Sequence, residues 1–554
     1  MTSIADRKGR GAFYTPPEMI QPMIRWAIRE GSEHVLDGGA GESAFLVAAA
    51  ERLADLGTSP RQVGRQIHGI ELDPSAADLA RKAVASTLGI EPSEVLVKCG
   101  SFFDETPGGL TQVKACVGNP PYIRYQSFSG DVRKQALMRA AEGGVKLTGL
   151  TSSWAPFLVH ACRFILPGGR LAQVLPAELL QTGYAQPVRD FLVQRFRSVV
   201  LVVFDARVFP GALEEVVLVL ADDEGRPGLQ VREAENLEDL SRIVDGSGSR
   251  TRSISRPKEK WTRYLLQHDQ LRAYDECARS PQFARLSEYA RTDIGVVTGA
   301  NSFFVLDERN AEAAGISQRD LIPTISKAEH VQGLHFRKKD LDGLKEAGEP
   351  FLLFYPADHS LDQAAGRYVR SGKWIGLDKR YKCRTRDPWW KVPGVKIPDA
   401  FITYMANEAP RVALNEAGAL STNTVHRIYL YPEAKDLRRI LPVLYLNSLT
   451  LLSTELEGRS YGGGVLKLEP RECGRLLLPR IEFLDVGIRR ELRSLMGRVD
   501  RLVRARRMAE AVAEVDQIVL QEAVGLSSAT IEAIQQARQR LYARRMNRMG
   551  SRLR

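Results

Sequence analysis

Lys114-Ala-Cys-Val-Gly-Asn-Pro-Pro-Tyr122 is a short apolar run that reads as a buried strand, closed at its carboxyl end by an amide, two prolines and an aromatic ring. Proline fixes φ and removes a competing donor, so the turn holds the Pro120 carbonyl in place. That carbonyl and the Asn119 side-chain oxygen form a rigid acceptor pair, with Tyr122 as a stacking plane beside them. Such a pair suits a planar amino nitrogen, a poor nucleophile because its lone pair is delocalised into a ring. Acceptors on its hydrogens return electron density to it. The same four residues also read as a plain Pro-rich turn after a strand, so the surroundings decide.

Outward from this strand, apolar runs alternate with helical patterns. Strands are predicted at His34–Asp37, Gln66–Leu72, Val95–Cys99, Lys114–Gly118, Arg170–Leu175, Ser198–Phe204 and Glu215–Leu220. Helices are predicted around Pro17–Glu30, Ala44–Leu56, Ser75–Leu88, Trp154–Leu166 and Ala185–Phe196. The alternation implies a doubly wound α/β sheet with ligands at the strands' carboxyl ends. The connection Asp205–Glu214 is too short for a parallel crossover, so the last two strands should form an antiparallel hairpin. Val35-Leu-Asp-Gly-Gly-Ala-Gly-Glu-Ser43 is a strand entering a glycine-rich turn, weak evidence alone and not a P-loop, since no Gly-Lys-Ser/Thr follows. In Gly69-Ile-Glu-Leu-Asp-Pro74, Glu71 is placed to accept both hydroxyls of a ribose, while Asp73 suits a helix cap.

A chain of 554 residues exceeds one ordinary core, and 44% hydrophobic with 26% charged residues is a soluble globular composition. No signal peptide is evident at Met1–Arg10, and the most apolar run, Val199–Phe204, is too short to span a bilayer. The six cysteines form no CxxC pair and read as reduced thiols. The eight histidines form no HxxxH or Cys/His cluster, so no metal is expected. Charge is uneven. Residues 1–245 hold 26 Lys+Arg against 30 Asp+Glu, and the remainder 52 against 37. A basic second half suits a polyanion such as nucleic acid, and equally a solvated Arg-rich surface.

Domains are expected at 1–245, 265–485 and 486–554, with a Gly/Ser-rich basic linker over 246–264. Beyond the linker, short strands such as Ser302–Leu306, Phe351–Tyr355 and Arg427–Tyr431 mix with helices in an α+β pattern. From Val486 the chain reads as helix, ending in Arg538, Arg540, Arg544, Arg545, Arg548, Arg552 and Arg554. Between Lys373 and Trp390 cations interleave with aromatics. Trp389 and Trp390 read as core anchors, and Arg384 and Arg386 as the better phosphate or base contacts.

Taken in order, these segments resemble the S-adenosylmethionine-dependent N6-adenine DNA methyltransferases, in the TaqI-like gamma class of restriction-modification systems. The resemblance begins at Gly11-Ala-Phe-Tyr-Thr-Pro-Pro-Glu18 and continues through Asp37–Ser43, Glu71 and Asn119–Tyr122. It takes in Trp154–Pro176 and, for the first half, ends at Arg207-Val-Phe-Pro-Gly211. Ile294–Asn301, Arg386–Trp390, Leu446–Ser448 and Gly458–Gly464 resemble the recognition half more loosely.

The resemblance implies a Rossmann-like α/β methyltransferase domain over 1–245 and an α+β DNA-recognition domain over 265–485, with a basic helical segment over 486–554. It implies that Asn119, Pro120, Tyr122 and Phe209 hold a flipped-out adenine. Tyr14, Thr15, Asp37, Gly38, Gly39, Gly41, Glu71, Leu72, Ser101 and Phe102 would bind S-adenosylmethionine. Arg384, Arg386, Arg459 and Tyr461 would contact duplex DNA. Two departures stand out: Gly38 replaces a more usual proline, and Ser101 stands where an aspartate usually binds the cofactor's adenine. Implied partners are double-stranded DNA and a cognate restriction endonuclease or defence-system subunits, with a cytoplasmic setting. No nuclease PD…ExK constellation is evident in the chain. The alternatives are a methyltransferase of protein glutamine or RNA bases, which can share the tetrapeptide, and a non-catalytic DNA-specificity subunit.

Overall fold

The computed structural model describes residues 15–204, 216–234, 236–247, 252–254, 260–356, 361–461 and 463–546. The chain divides into two compact units, one ending at Leu265 and one spanning Leu266–Met546.

Among its described residues the first unit has nine strands: β1 (Val35–Asp37), β2 (Ile67–Glu71), β3 (Leu96–Cys99), β4 (Val113–Gly118), β5 (Ile165–Pro176), β6 (Ser198–Phe204), β7 (Val216–Asp222), β8 (Gly228–Ala234) and β9 (Arg252–Ile254). Their order is β3-β2-β1-β4-β5-β7-β6-β8-β9. The pairs β2–β3, β1–β2, β1–β4 and β4–β5 are parallel. Strand β7 runs antiparallel between β5 and β6, as the short connection required. Central strands covered on both faces are apolar along their length, which is why β6 and β7 are valine-rich and buried throughout. The chain order reverses between β1 and β4, so the carboxyl ends of these two strands flank the crevice where ligands of such sheets sit.

The helices lie close to their expected positions, at Pro17–Ala27, Ala44–Asp55, Pro74–Leu88, Trp154–Cys162 and Gln186–Arg195. Asp73 caps the third of these by accepting from the Ser75 and Ala76 N–H groups. Helix Gly130–Glu142 and strands β8 and β9 escape the sequence pattern. Strand β9 corrects the linker expectation. Its three residues lie within 246–264, yet they pair antiparallel with β8, because an open sheet edge recruits backbone whatever its side chains. Trp261, 1% exposed, anchors the end of the same stretch.

The second unit has a mainly antiparallel five-stranded sheet, with Ala400–Ile402 between His426–Leu430 and Val412–Asn415. A cluster including Phe303, Phe304, Phe336, Phe354, Trp390 and Phe401 fills its core. The expected strand Ser302–Leu306 is a short helix, Asn301–Phe304, followed by Val305–Leu306 in a sheet. The stretch from Val486 is helical, but it is no detached tail. Helix Ser528–Met546 packs on Ser448–Glu457 and His268–Arg279. No helix among the described residues is long and apolar enough to cross a membrane.

Candidate active site at the carboxyl edge of the sheet

Strand β1 delivers Asp37, 2% exposed, into the glycine turn, where the Gly39 N–H donates to its Oδ1 at 3.0 Å. Burial pushes the Asp37 carboxyl up to about 7. The Gly39 N–H pulls the other way, and the nearby Glu71 charge adds to the rise. The turn is stitched to the end of β2. Ala40 N–H donates to the Ile70 carbonyl at 2.9 Å, and Gly41 N–H to Glu71 Oε2 at 2.8 Å. Glu71 Oε1 accepts from Asp73 N–H at 2.9 Å. A carboxylate has about four acceptor sites, so two remain for hydroxyls of a ligand. Next to it Leu72 is 72% exposed, an apolar face left open at a strand end.

The two departures from the family pattern meet in one place. A Cβ on Gly38 would lie 2.8 Å from the Phe102 ring, so a proline ring there would collide with it. Phe102 is 4% exposed and packs against Phe157, His160 and Phe164. The structure thus places Phe102 beneath the turn as a packing residue, with Ser101, partly exposed, at its edge.

Strand β4 ends at Gly118, whose φ of 137° and whose contact with Asp37, 2.6 Å from a would-be Cβ, both demand glycine. Asn119 follows. Its Nδ2 donates to Thr15 Oγ1 at 3.1 Å across 104 positions of sequence. That bond turns the amide's oxygen to the side away from Thr15. Thr15 is itself 5% exposed. Among the described residues no hydrogen bond is made to the Pro120 carbonyl. Tyr122, 7% exposed, donates its hydroxyl to the Val174 carbonyl of β5 at 2.9 Å, which fixes the ring's plane. A Cβ added to Gly39 would come within 3.9 Å of the Pro121 ring, so the glycine turn and the Asn119–Tyr122 tetrapeptide are neighbours. Tyr14 and Phe209 fall outside the described residues.

Sequence reasoning missed the residue that holds this loop. The Ser153 hydroxyl donates to the Pro121 carbonyl at 2.5 Å and accepts from Ile123 N–H at 2.8 Å. Its own N–H donates to the Ile123 carbonyl at 3.0 Å. Thr151-Ser-Ser153 before helix Trp154–Cys162 reads as a capping triplet. Ser153 makes no side-chain cap and spends its hydroxyl on the tetrapeptide's backbone. Beside it, Glu178 accepts from Ser152, Trp154 and Tyr184. Burial, with the Glu178 charge second, pushes the Tyr184 hydroxyl well above its ordinary value.

In the second unit the four expected DNA contacts divide. Arg384 is exposed and lies 5.6 Å from the Tyr381 ring centre, and Tyr461 is 37% exposed. Arg386 instead donates to the Val297 and Thr298 carbonyls at 2.6 and 2.8 Å. Arg459 pairs with Glu472 at 3.1 Å. Trp390 is buried and Trp389 packs on Phe303 and Phe304, the anchoring expected of them.

Residues 1–237 match the family described as N-6 DNA Methylase, and residues 258–520 match the C-terminal domain of Type II methyltransferase M.Eco57I. Type II methyltransferase M.XamI of Xanthomonas campestris pv. amaranthicola is 27% identical over 489 residues, 86% of each chain. M.AccI of Acinetobacter calcoaceticus, also a Type II methyltransferase, is 22% identical over 504 residues, 87% of this chain and 88% of its own. The fold is similar to that of the Type IIL restriction-modification enzyme MmeI, solved in complex with DNA, with a TM-score of 0.60 and 10% identity over 95% of this chain and 75% of that one.

Proposed function

The chain belongs to the N6-adenine DNA methyltransferases of restriction-modification, and we propose that it moves a methyl group from S-adenosylmethionine to the amino nitrogen of an adenine rotated out of duplex DNA. The residues at the carboxyl edge fit that cofactor. Glu71 keeps acceptor sites for two ribose hydroxyls, the exposed Leu72 suits the face of a purine, and the buried Asp37 suits a cationic group. Thr15, Gly38, Gly39 and Gly41 line the same edge, with Ser101 beside them. When bound, S-adenosylmethionine supplies an electrophilic methyl group on a positively charged sulfur.

The chain's own residues prepare the nucleophile. The Asn119 Oδ1 and the Pro120 carbonyl accept the two hydrogens of the adenine amine and raise the electron density on its nitrogen. As that nitrogen gains positive charge, the same acceptors stabilise it, an effect that needs no reorganisation because both are already fixed. The proton leaves to water after transfer. Tyr122, tethered to Val174, stacks on the purine, and Phe209 is the candidate for its other face. Rotating a base out of the stack costs a few kcal/mol, which stacking and the two acceptors offset. Arg384 and Tyr461 are the exposed candidates for reading the duplex, and a cognate restriction endonuclease or defence subunit is the expected partner.

The Asn119–Thr15 bond beside the glycine turn carries this reading, since it orients the amide where the strand order reverses. The test is incubation of the full chain with methyl-labelled S-adenosylmethionine and duplex DNA, followed by nucleoside analysis. Label is expected in N6-methyladenine, at a strongly reduced rate with Asn119→Ala. Label on cytosine, RNA or protein glutamine would overturn it.

A further inference from the structure

Helix Gln363–Trp374 ends in an apolar tip. Trp374 is 88% exposed and Ile375 61%, and Tyr381 follows at 65%. The inner face of the same helix is firmly seated, with Val369 and Gly372 buried and Tyr368 stacked on Phe303 at 4.4 Å. The tip is therefore rigid as well as exposed. Around it in sequence stand Lys373, Lys379, Arg380, Lys382 and Arg384, all exposed. Between Lys373 and Arg386 the sole carboxylate is Asp378. None of these five cations joins an ion pair among the described residues. Elsewhere in the unit some exposed cations do find carboxylates, as Lys327 does with Glu349 and Lys345 with Glu308.

Unneutralised cations call for a polyanion, and a projecting indole calls for flat apolar faces. Duplex DNA offers both together. Resting on the reading of the chain as a DNA methyltransferase, we propose that Trp374, backed by Ile375, is a wedge that enters between base steps of the duplex, while Lys373, Lys379, Arg380 and Lys382 take the flanking phosphates. Partial unstacking by an apolar wedge kinks the duplex, and it lowers the cost of rotating out a base nearby.

The full-length chain carries six tryptophans, and replacing Trp374 with Phe identifies its share of the emission. Titration with sheared duplex DNA should quench the Trp374 signal. Polyphosphate, which has the charge without the bases, should bind and leave that signal unquenched. Trp374→Ala should weaken duplex binding by about tenfold or more, the effect of losing one base-stacking aromatic. The salt dependence should stay unchanged, because no phosphate contact is removed. Trp374→Phe should keep most of the affinity, and the exposure of the site means both variants should melt with the wild type. Wild-type affinity in Trp374→Ala, or equal quenching by duplex and polyphosphate, would overturn the proposal. So would a Trp374 response to anionic phosphatidylserine vesicles and not to DNA. Failure of the methyltransferase reading is seen separately, as wild-type chain that puts no label into DNA.

Discussion

The two units hold their functional side chains in opposite ways. At the carboxyl edge of the first, three candidates are tied down by the main chain or a neighbour: Asn119 by Thr15, Tyr122 by Val174, Glu71 by Gly41 and Asp73. In the second unit, tied cations and untied cations coexist, and the tied ones have structural work to do. Arg386 and Arg459 are engaged with the protein itself, and Arg545, 2% exposed, pairs with Glu455 at 2.8 Å. Lys373, Arg380, Lys382 and Arg384 join no ion pair among the described residues. Chemistry on a weak nucleophile needs acceptors fixed in advance, so it is recognised by satisfied hydrogen bonds. Grip on a polyanion needs charge left over, so it is recognised by cations the fold has not used.

The sharpest way to break that contrast is to remove one arginine of each kind. Arg545→Ala strands Glu455 in the interior and should cost about 3–5 kcal/mol of stability in denaturant unfolding, the usual penalty for breaking a buried pair. Arg384→Ala should leave unfolding unchanged and lower the salt dependence of DNA binding by about one phosphate contact. Equal stability losses would erase the distinction. In the first unit, Asn119→Ala should slow methyl transfer by about 2–4 kcal/mol in the barrier, roughly thirty- to a thousandfold, with DNA affinity retained. Single-turnover labelling of duplex DNA measures it.

A smaller effect tests whether the loop's backbone, and not only its side chains, has to be held. Ser153→Ala removes the hydroxyl that bridges Pro121 and Ile123, and it should lower kcat about tenfold with KM for DNA little changed. Ser153→Thr restores the hydroxyl and should recover most of the rate. A parallel loss of kcat and DNA affinity in both variants would mean a general packing defect.

The same contrast governs how much of the molecule could be read from its sequence. The sheet, its final hairpin and the Asn119 and Glu71 positions were legible, because strand ends, prolines and glycines are local signals and the chemistry needs them in order. Ser153 was hidden, because its partners lie about thirty positions away and its immediate context looks like a helix cap. Strand β9 was hidden because an edge strand is made by its neighbour's free backbone and not by its own apolar pattern. In the second unit Arg384 and Arg386 look alike in sequence. One stands in solvent and the other closes a loop at Val297 and Thr298, a difference set wholly by tertiary contacts. Leu446-Asn-Ser448 is similar: Asn447 caps its helix and Ser448 binds Asp516, so the motif there is architecture.

The gentlest test concerns Asp37, a buried carboxyl that joins no ion pair among the described residues. With its carboxyl raised from 3.8 to about 7, the folded chain binds more protons than the unfolded chain across that interval. Stability contributed by this group is therefore full below the ordinary value and is lost as pH rises through about 7. A sulfonium or ammonium group brought beside it favours the ionised form and draws the pKa back down. Binding of S-adenosylmethionine near pH 6 should then release a fraction of a proton, up to about one, and near pH 9 almost none, because the carboxylate is already ionised. Calorimetry in buffers of different ionisation enthalpy counts it, and Asp37→Asn should abolish it. Proton uptake near pH 6, or the same release from Asp37→Asn, would show that the charge at the end of β1 does not face the cofactor.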